Sequence, residues 1–456
     1  MNRISVFAII FTLFIPLGSY AQYASSSKTP KKAGDLIEST SYNDHKRGAP
    51  RMLQYLPSGE EFVCVNGKNR YTRALYGGHT AWRLETGDRP IFATYVKNDC
   101  RNIRFRLHLP DGTVTPLEET DWCEARYNPG TRTYALKDKA WGENCSLKVS
   151  VLASLTEEMA VWELSGELPA GCELEVLNSP IRRKKLSRSG DMGADPPGCF
   201  EPAEDGTVLQ ILKCRFPADG HLYVGISGNE LKEIRDGGVQ YLALQKACRE
   251  LAERIRITTP DPYFNTLGGA LAVAADGIWG EEGVWLHGAV GWRMPLSGWR
   301  AAYVGDVLGW HDRARTHFDN YAASQVTEVP NRISHPAQDS ALALARSAKI
   351  WGTPQYSNGY ICRNPRRNNQ MHHYDMNLCY IDELLWHFNW TGDLEYAHRM
   401  WPLLTLHLAW EKRNFDPDND GLYDAYACIW ASDALYYNSG AVTHSSAYNY
   451  RGNKLA

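Results

Sequence analysis

The sequence predicts a two-part fold: an antiparallel β-sandwich over residues 51–250, then an α/α toroid over 251–456. Three observations carry this expectation. Alternation of apolar and polar residues, with Gly, Pro and Asp at the turns, dominates 51–250. Period-3.6 segments take over from about residue 260. The aromatic texture changes at the same place: of the 15 Trp, the run from Trp279 to Trp430 holds most, and most His lie from His287 onward. Composition is that of an ordinary folded protein, 43% hydrophobic and 22% charged. A net charge of -3 offers none of the basic surface a nucleic-acid partner would need.

In chain order, Met1-Asn2-Arg3, an apolar run over 4–17 and Gly18-Ser19-Tyr20-Ala21 read as a secretory signal peptide over 1–21. The expected location is therefore periplasmic or extracellular. The apolar run is too short for a good membrane span, and none is expected after cleavage. Residues 22–50 read as an irregular lead-in. In 103–109 every second residue is apolar, and Pro110-Asp111-Gly112 supplies a turn. The segments 145–151 and 172–176 alternate likewise. Residues 182–199 break the pattern with charge, Gly and Pro, and predict a solvated surface loop carrying Arg182, Arg183, Lys184 and Lys185. Residues 242–257 act as a connector. Helices are expected near 262–278, 298–322, 336–349, 372–390, 393–414 and 443–456. The 11 Cys include no Cys-x-x-Cys, so metal-knuckle spacing is absent and most are expected to be small buried residues. No metal or cofactor is expected.

Several residues are candidates for chemistry. Gly392 can end one helix and Asp393 can cap the next, with Pro402 expected to kink or restart the second. Asp416, Asp418, Asp420 and Gly421 match half of an EF-hand loop, but its twelfth position is Ala427 where a bidentate Glu is needed. Trp285, Trp292 and Trp299 sit in predicted loops, where ring faces can stack on sugars. Asp306 lies between Trp299 and Trp310 on a predicted helix with Arg300, placing both as sugar-hydroxyl contacts. His372, His373 and Asp375 open an apolar helix and are further candidate substrate contacts; Glu281 and Glu282 are further candidate carboxylates.

The run Trp390-Thr391-Gly392-Asp393, Met400-Trp401-Pro402 and Asp416 to Leu422, together with Gly298-Trp299-Arg300 and Gly305-Asp306, resembles the six-hairpin glycosidases, the (α/α)6 toroid glycoside hydrolases. An upstream β-sandwich occurs in such enzymes, and the chain is similar to a poorly characterised group of secreted bacterial proteins with this domain pair. The resemblance implies hydrolysis of glycosidic bonds in an oligo- or polysaccharide, mostly with inversion. It also implies that Asp433 is the general acid, with Trp430 as one of its aromatic walls; the base is left unassigned. Two other readings stay open: a polysaccharide lyase recruiting His372, His373, Tyr374 and Arg363, and a non-catalytic glycan-binding protein. The helical part is about half as long as twelve helices require, so the sequence also leads one to expect an incomplete toroid and a truncated, inactive chain.

Overall fold

The computed structural model describes residues 55–328 apart from 72, 184, 192, 193 and 235, then 358–369, 375–416, 418–423 and 441–456, with the short paired segments 338–339, 344–345, 427–428 and 435–436. The segments expected to be a signal peptide and lead-in lie outside the described residues. None of the described helices is long and apolar enough to cross a membrane.

Fifteen strands come first: β1 (Leu56–Ser58), β2 (Glu61–Val65), β3 (Arg73–Tyr76), β4 (Arg83–Thr86), β5 (Phe92–Tyr95), β6 (Arg101–His108), β7 (Val114–Pro116) and β8 (Trp122–Asn128). They continue with β9 (Thr131–Lys137), β10 (Ser146–Ala153), β11 (Met159–Glu167), β12 (Glu173–Pro180), β13 (Gln210–Arg215), β14 (His221–Ser227) and β15 (Glu230–Glu233). One sheet has the order β1-β2-β8-β9-β10-β11-β14-β15 and the other β13-β12-β6-β5-β4-β3, with β7 added beside β6. The sheet pairings are antiparallel. The alternation explains the layering. On β6, Ile103, Phe105 and Leu107 point inward and meet Ala125, Tyr134, Val149 and Trp162 of the opposite sheet in one buried cluster. Phe92 packs edge-on against Phe105, Tyr134 and Trp162 at its centre.

The first helix, α1 (Gly237–Ala252), lies on the outside of the first sheet, where Tyr241 and Cys248 join Leu152, Met159 and Val161. Helix α2 (Pro262–Gly277) starts where expected: the Asp261 side chain accepts the Tyr263 N–H at 2.8 Å and Pro262 takes the first helical position. The stretch expected as one helix over 298–322 forms two, α3 (Tyr303–Val307) and α4 (His311–Ala322). The break falls at Gly309, whose φ of +72° no continuing helix can hold. Next come α5 (Asp375–Thr391), α6 (Leu394–Phe415) and α7 (Thr443–Leu455). Gly392 adopts φ +64° after α5, and Asp393 caps α6 by accepting the Tyr396 N–H at 2.9 Å. Pro402 neither ends nor restarts α6. It sits on the exposed face, where the carbonyl it frees can reach water. Within 336–349, Gln338–Asp339 pairs with Leu344–Ala345, an extended pairing where a helix was expected.

The toroid expectation is corrected here. Among the described residues there are seven α-helices, of which α1 belongs to the sheets and α3 has five residues; a six-hairpin toroid requires twelve in paired layers. The coarser architecture stands: antiparallel sheets first, helices after.

The two parts are fastened by a polar junction. Asp276, at the end of α2, accepts from His79 Nε2 at 3.0 Å and from Arg313 at 2.7 Å. Arg313 in turn stacks on Trp310 and Trp279. Burial pushes the Asp276 carboxyl up, but His79 and Arg313 outweigh it and hold it below its ordinary range. Arg293 reaches across to the carbonyls of His79, Gly277 and Trp279.

Candidate functional site

A loop over 286–300 forms the floor of the candidate site. It is closed at its base by the bridge between Leu286 and Pro295, with His287 N–H donating to the Met294 carbonyl. Gly298 lets the loop lie directly on the start of α5: a Cβ there would sit 2.1 Å from the Met376 carbonyl oxygen and 2.3 Å from the Tyr380 nitrogen. On this loop His287 is ringed by two tryptophans, Trp299 at 4.5 Å and Trp292 at 5.4 Å between ring centroids, both edge-on. Trp292 is 43% exposed and Trp299 half-buried. Arg300 follows, exposed, with φ +64° and its guanidinium 5.5 Å from the Trp299 ring. A left-handed conformation at a non-glycine residue beside an aromatic pair is the kind of strain that accumulates at binding sites.

The sandwich supplies the opposite wall. The 182–199 segment, expected as a solvated loop, is a built structure. Fully buried Asp195 accepts the backbone N–H groups of Ser187, Arg188 and Gly190 and the Arg183 guanidinium, at 2.7 to 3.0 Å. This cage carries Arg188 onto the face of Trp292, with its guanidinium carbon 3.7 Å from the ring centroid. Asp191 of the same loop sets its carboxylate against Gly291. Burial alone would raise the Asp195 pKa; the three N–H donors and Arg183 override it and hold the group low. A carboxyl with a depressed folded pKa adds stability above its unfolded value of about 3.9, and that stability is lost as pH falls through the folded value. Asp195→Ala should cost about 2–3 kcal/mol through the orphaned N–H groups. At neutral pH it should open the loop to trypsin at Arg182, Arg183 and Arg188, read as faster limited proteolysis than in the parent chain.

Beneath the floor lies Glu383 of α5, 1% exposed. One of its carboxyl oxygens accepts the Ala302 N–H at 3.1 Å; the other has no hydrogen-bond partner among the described residues. Burial drives its pKa well above the ordinary carboxylate range, opposed by the Ala302 N–H and, more weakly, by the Arg300 charge. The neighbouring Asp382 accepts from Tyr303 and Arg451 on the outer side of the same turn.

Other candidates fall elsewhere. Trp285 is a core residue, its ring against Trp279 and His317, and its backbone N–H donates to His317 Nδ1. Burial lowers the His317 pKa to about 3, so this ring is a neutral packing partner. Asp306 is buried and accepts from His387 Nδ1 at 2.8 Å and His311 Nδ1 at 2.8 Å. It ties α3, α4 and α5 together. Gly305 beside it is small because a Cβ would meet the Trp285 ring at 2.5 Å. The Asp416, Asp418 and Asp420 oxygens gather within 4.8 Å. Asp416 there pairs with Lys412 and accepts the Gly421 N–H, and Asp420 accepts the Leu422 N–H. These are turn contacts. Asp433, Trp430, His372 and His373 lie outside the described residues, as does the Asp375 side chain.

Sequence reasoning missed Glu383 and Arg188. The signal for Glu383 was available: α5 is buried on nearly all sides, so a charged residue within it must be neutral or paired.

Residues 100–208, within the sandwich, match the model of a family described as a domain of unknown function, DUF4450. That match covers less than half the chain and carries no activity with it. No glycosidase family matches, which together with the helix count overturns the resemblance to six-hairpin glycosidases. No curated protein matches the chain.

Proposed function

We propose that this chain binds and cleaves a glycan, adding water across a glycosidic bond, at the surface where the 182–199 and 286–300 loops meet. One observation carries the reading: two tryptophans on one loop, the exposed Trp292 and the half-buried Trp299, are flanked by Arg188 and Arg300, and the chain just beyond that loop bonds through the Ala302 N–H to the buried carboxyl of Glu383, whose pKa burial raises. Indole faces suit the C–H faces of sugar rings. Hydrolysis needs one carboxyl in the acid form to protonate the leaving oxygen and a second, ionised, to activate water or attack. Glu383, whose pKa burial raises, is the candidate for the acid form. The acid role of Asp433 came from the resemblance and falls back to a question for mutagenesis. Export through the predicted signal peptide would deliver such an activity to polysaccharide outside the cytoplasm.

The test is a product screen. The purified chain is incubated with plant and host polysaccharides and the products are separated by chromatography. New saturated reducing ends support hydrolysis, and their loss in Glu383→Gln or in Asp433→Asn locates the acid. Products absorbing as unsaturated uronates would replace hydrolysis by elimination. Binding without any product would leave a glycan-binding protein, and neither binding nor product overturns the proposal.

A further inference from the structure

The glycan reading leaves the sugar class open, and the cations at the loop junction narrow it. Arg188 sits over the Trp292 ring, its guanidinium carbon 3.7 Å from the centroid, and it has no carboxylate partner among the described residues. A stacked guanidinium keeps its edge N–H groups available in the plane, the arrangement that takes a carboxylate with two parallel hydrogen bonds. Arg363 stands over the same loop. Its Nη2 lies 2.8 Å from the Met294 sulfur, a weak acceptor, and it too has no carboxylate partner among the described residues. Met294 and Trp292 are two residues apart, so one short loop presents both cations.

This placement is maintained at a cost. Arg188 belongs to the sandwich and Trp292 to the helical part, and the Asp195 cage holds the Arg188 backbone in place. Elsewhere the protein neutralises half-buried arginines directly, as with Arg104 on Glu118 and Glu201, or Arg313 on Asp276. Two cations that have no acid partner among the described residues, beside the exposed Trp292 and the half-buried Trp299, create a site for an anion on an otherwise ring-shaped, apolar-faced ligand. We infer that the substrate is an anionic glycan whose sugar carboxylate is held by Arg188 and Arg363 while its ring stacks on the loop tryptophans. This rests on the glycan reading above and adds the sugar class to it.

Two size-matched probes separate the questions: trigalacturonic acid and maltotriose, titrated calorimetrically into the full chain at low and high salt. Trigalacturonic acid should bind at least about tenfold more tightly than maltotriose at low salt, and lose that advantage as salt rises. Arg188→Ala should remove about tenfold more affinity for the acidic probe than for maltotriose, with an intact cooperative melting transition as the folding control. Arg188→Lys keeps the charge without the planar fork and should recover only part. Equal affinity for both probes, or an Arg188→Ala effect that falls on both alike, overturns the anionic class and leaves the glycan reading standing. Failure of the parent chain to bind either probe overturns the inference, and a blank product screen beside it overturns the reading as well.

Discussion

Gly298→Ala is expected to destabilise the chain by about 3 kcal/mol, read as a lowered midpoint of urea unfolding. The added methyl would meet the Met376 carbonyl oxygen and the Tyr380 nitrogen, both in the backbone of α5. A flexible side chain could swing away from such a contact; a helix backbone cannot. The loop must therefore lift, and the consequence is functional as well as energetic. Four residues on, the Ala302 N–H would leave Glu383, and Trp299 and Arg300 would move with it. Glycan binding should weaken in the same variant. Gly198→Ala is the matched control: its methyl meets nothing within 4 Å and its φ is not in the left-handed region, so it should be close to neutral.

How much of this was legible in the sequence follows from how local each signal is. The strand 103–109 announced itself because a half-buried strand needs only its own alternation. The end of α5 and the start of α6 were equally local, since Gly392 and Asp393 act within one turn. The single helix expected over 298–322 failed because Gly309 looks like an ordinary helical glycine until its positive φ is known. The 182–199 loop was misread for a different reason. Its charge density is that of a solvated segment, but one buried carboxylate, Asp195, collects three backbone N–H groups, and nothing in the composition distinguishes that Asp from its neighbours. The toroid was inferred from short motifs that Gly-Asp capping and Asp-rich turns produce in many helical proteins. Trp285 and Asp306 shared a weakness of another kind. An aromatic or an acid in an apolar stretch is as consistent with a buried partner as with a ligand, and here His317 and His387 are those partners.

Glu383→Gln carries the largest expected functional effect and separates chemistry from architecture. Glutamine keeps the shape and still accepts the Ala302 N–H, so the loop should stay in place. The linkage sign is definite. An acid whose folded pKa is raised binds more protons folded than unfolded once pH exceeds the unfolded value of about 4.3. In the parent chain, stability should therefore fall as pH rises from there toward the folded pKa. Removing the titration removes that loss, so the variant should melt higher than the parent at pH 8 and lose this advantage near pH 4. If Glu383 is the proton donor, the same variant should lose about 10²–10⁴-fold in turnover while retaining glycan affinity. A variant that is more stable at alkaline pH and inactive identifies a proton donor bought at the expense of stability. One that is more stable and fully active shows that the Glu383 carboxyl serves only to hold Ala302 and the tryptophan loop. The two measurements use one protein, and neither outcome can be produced by a simple failure to fold.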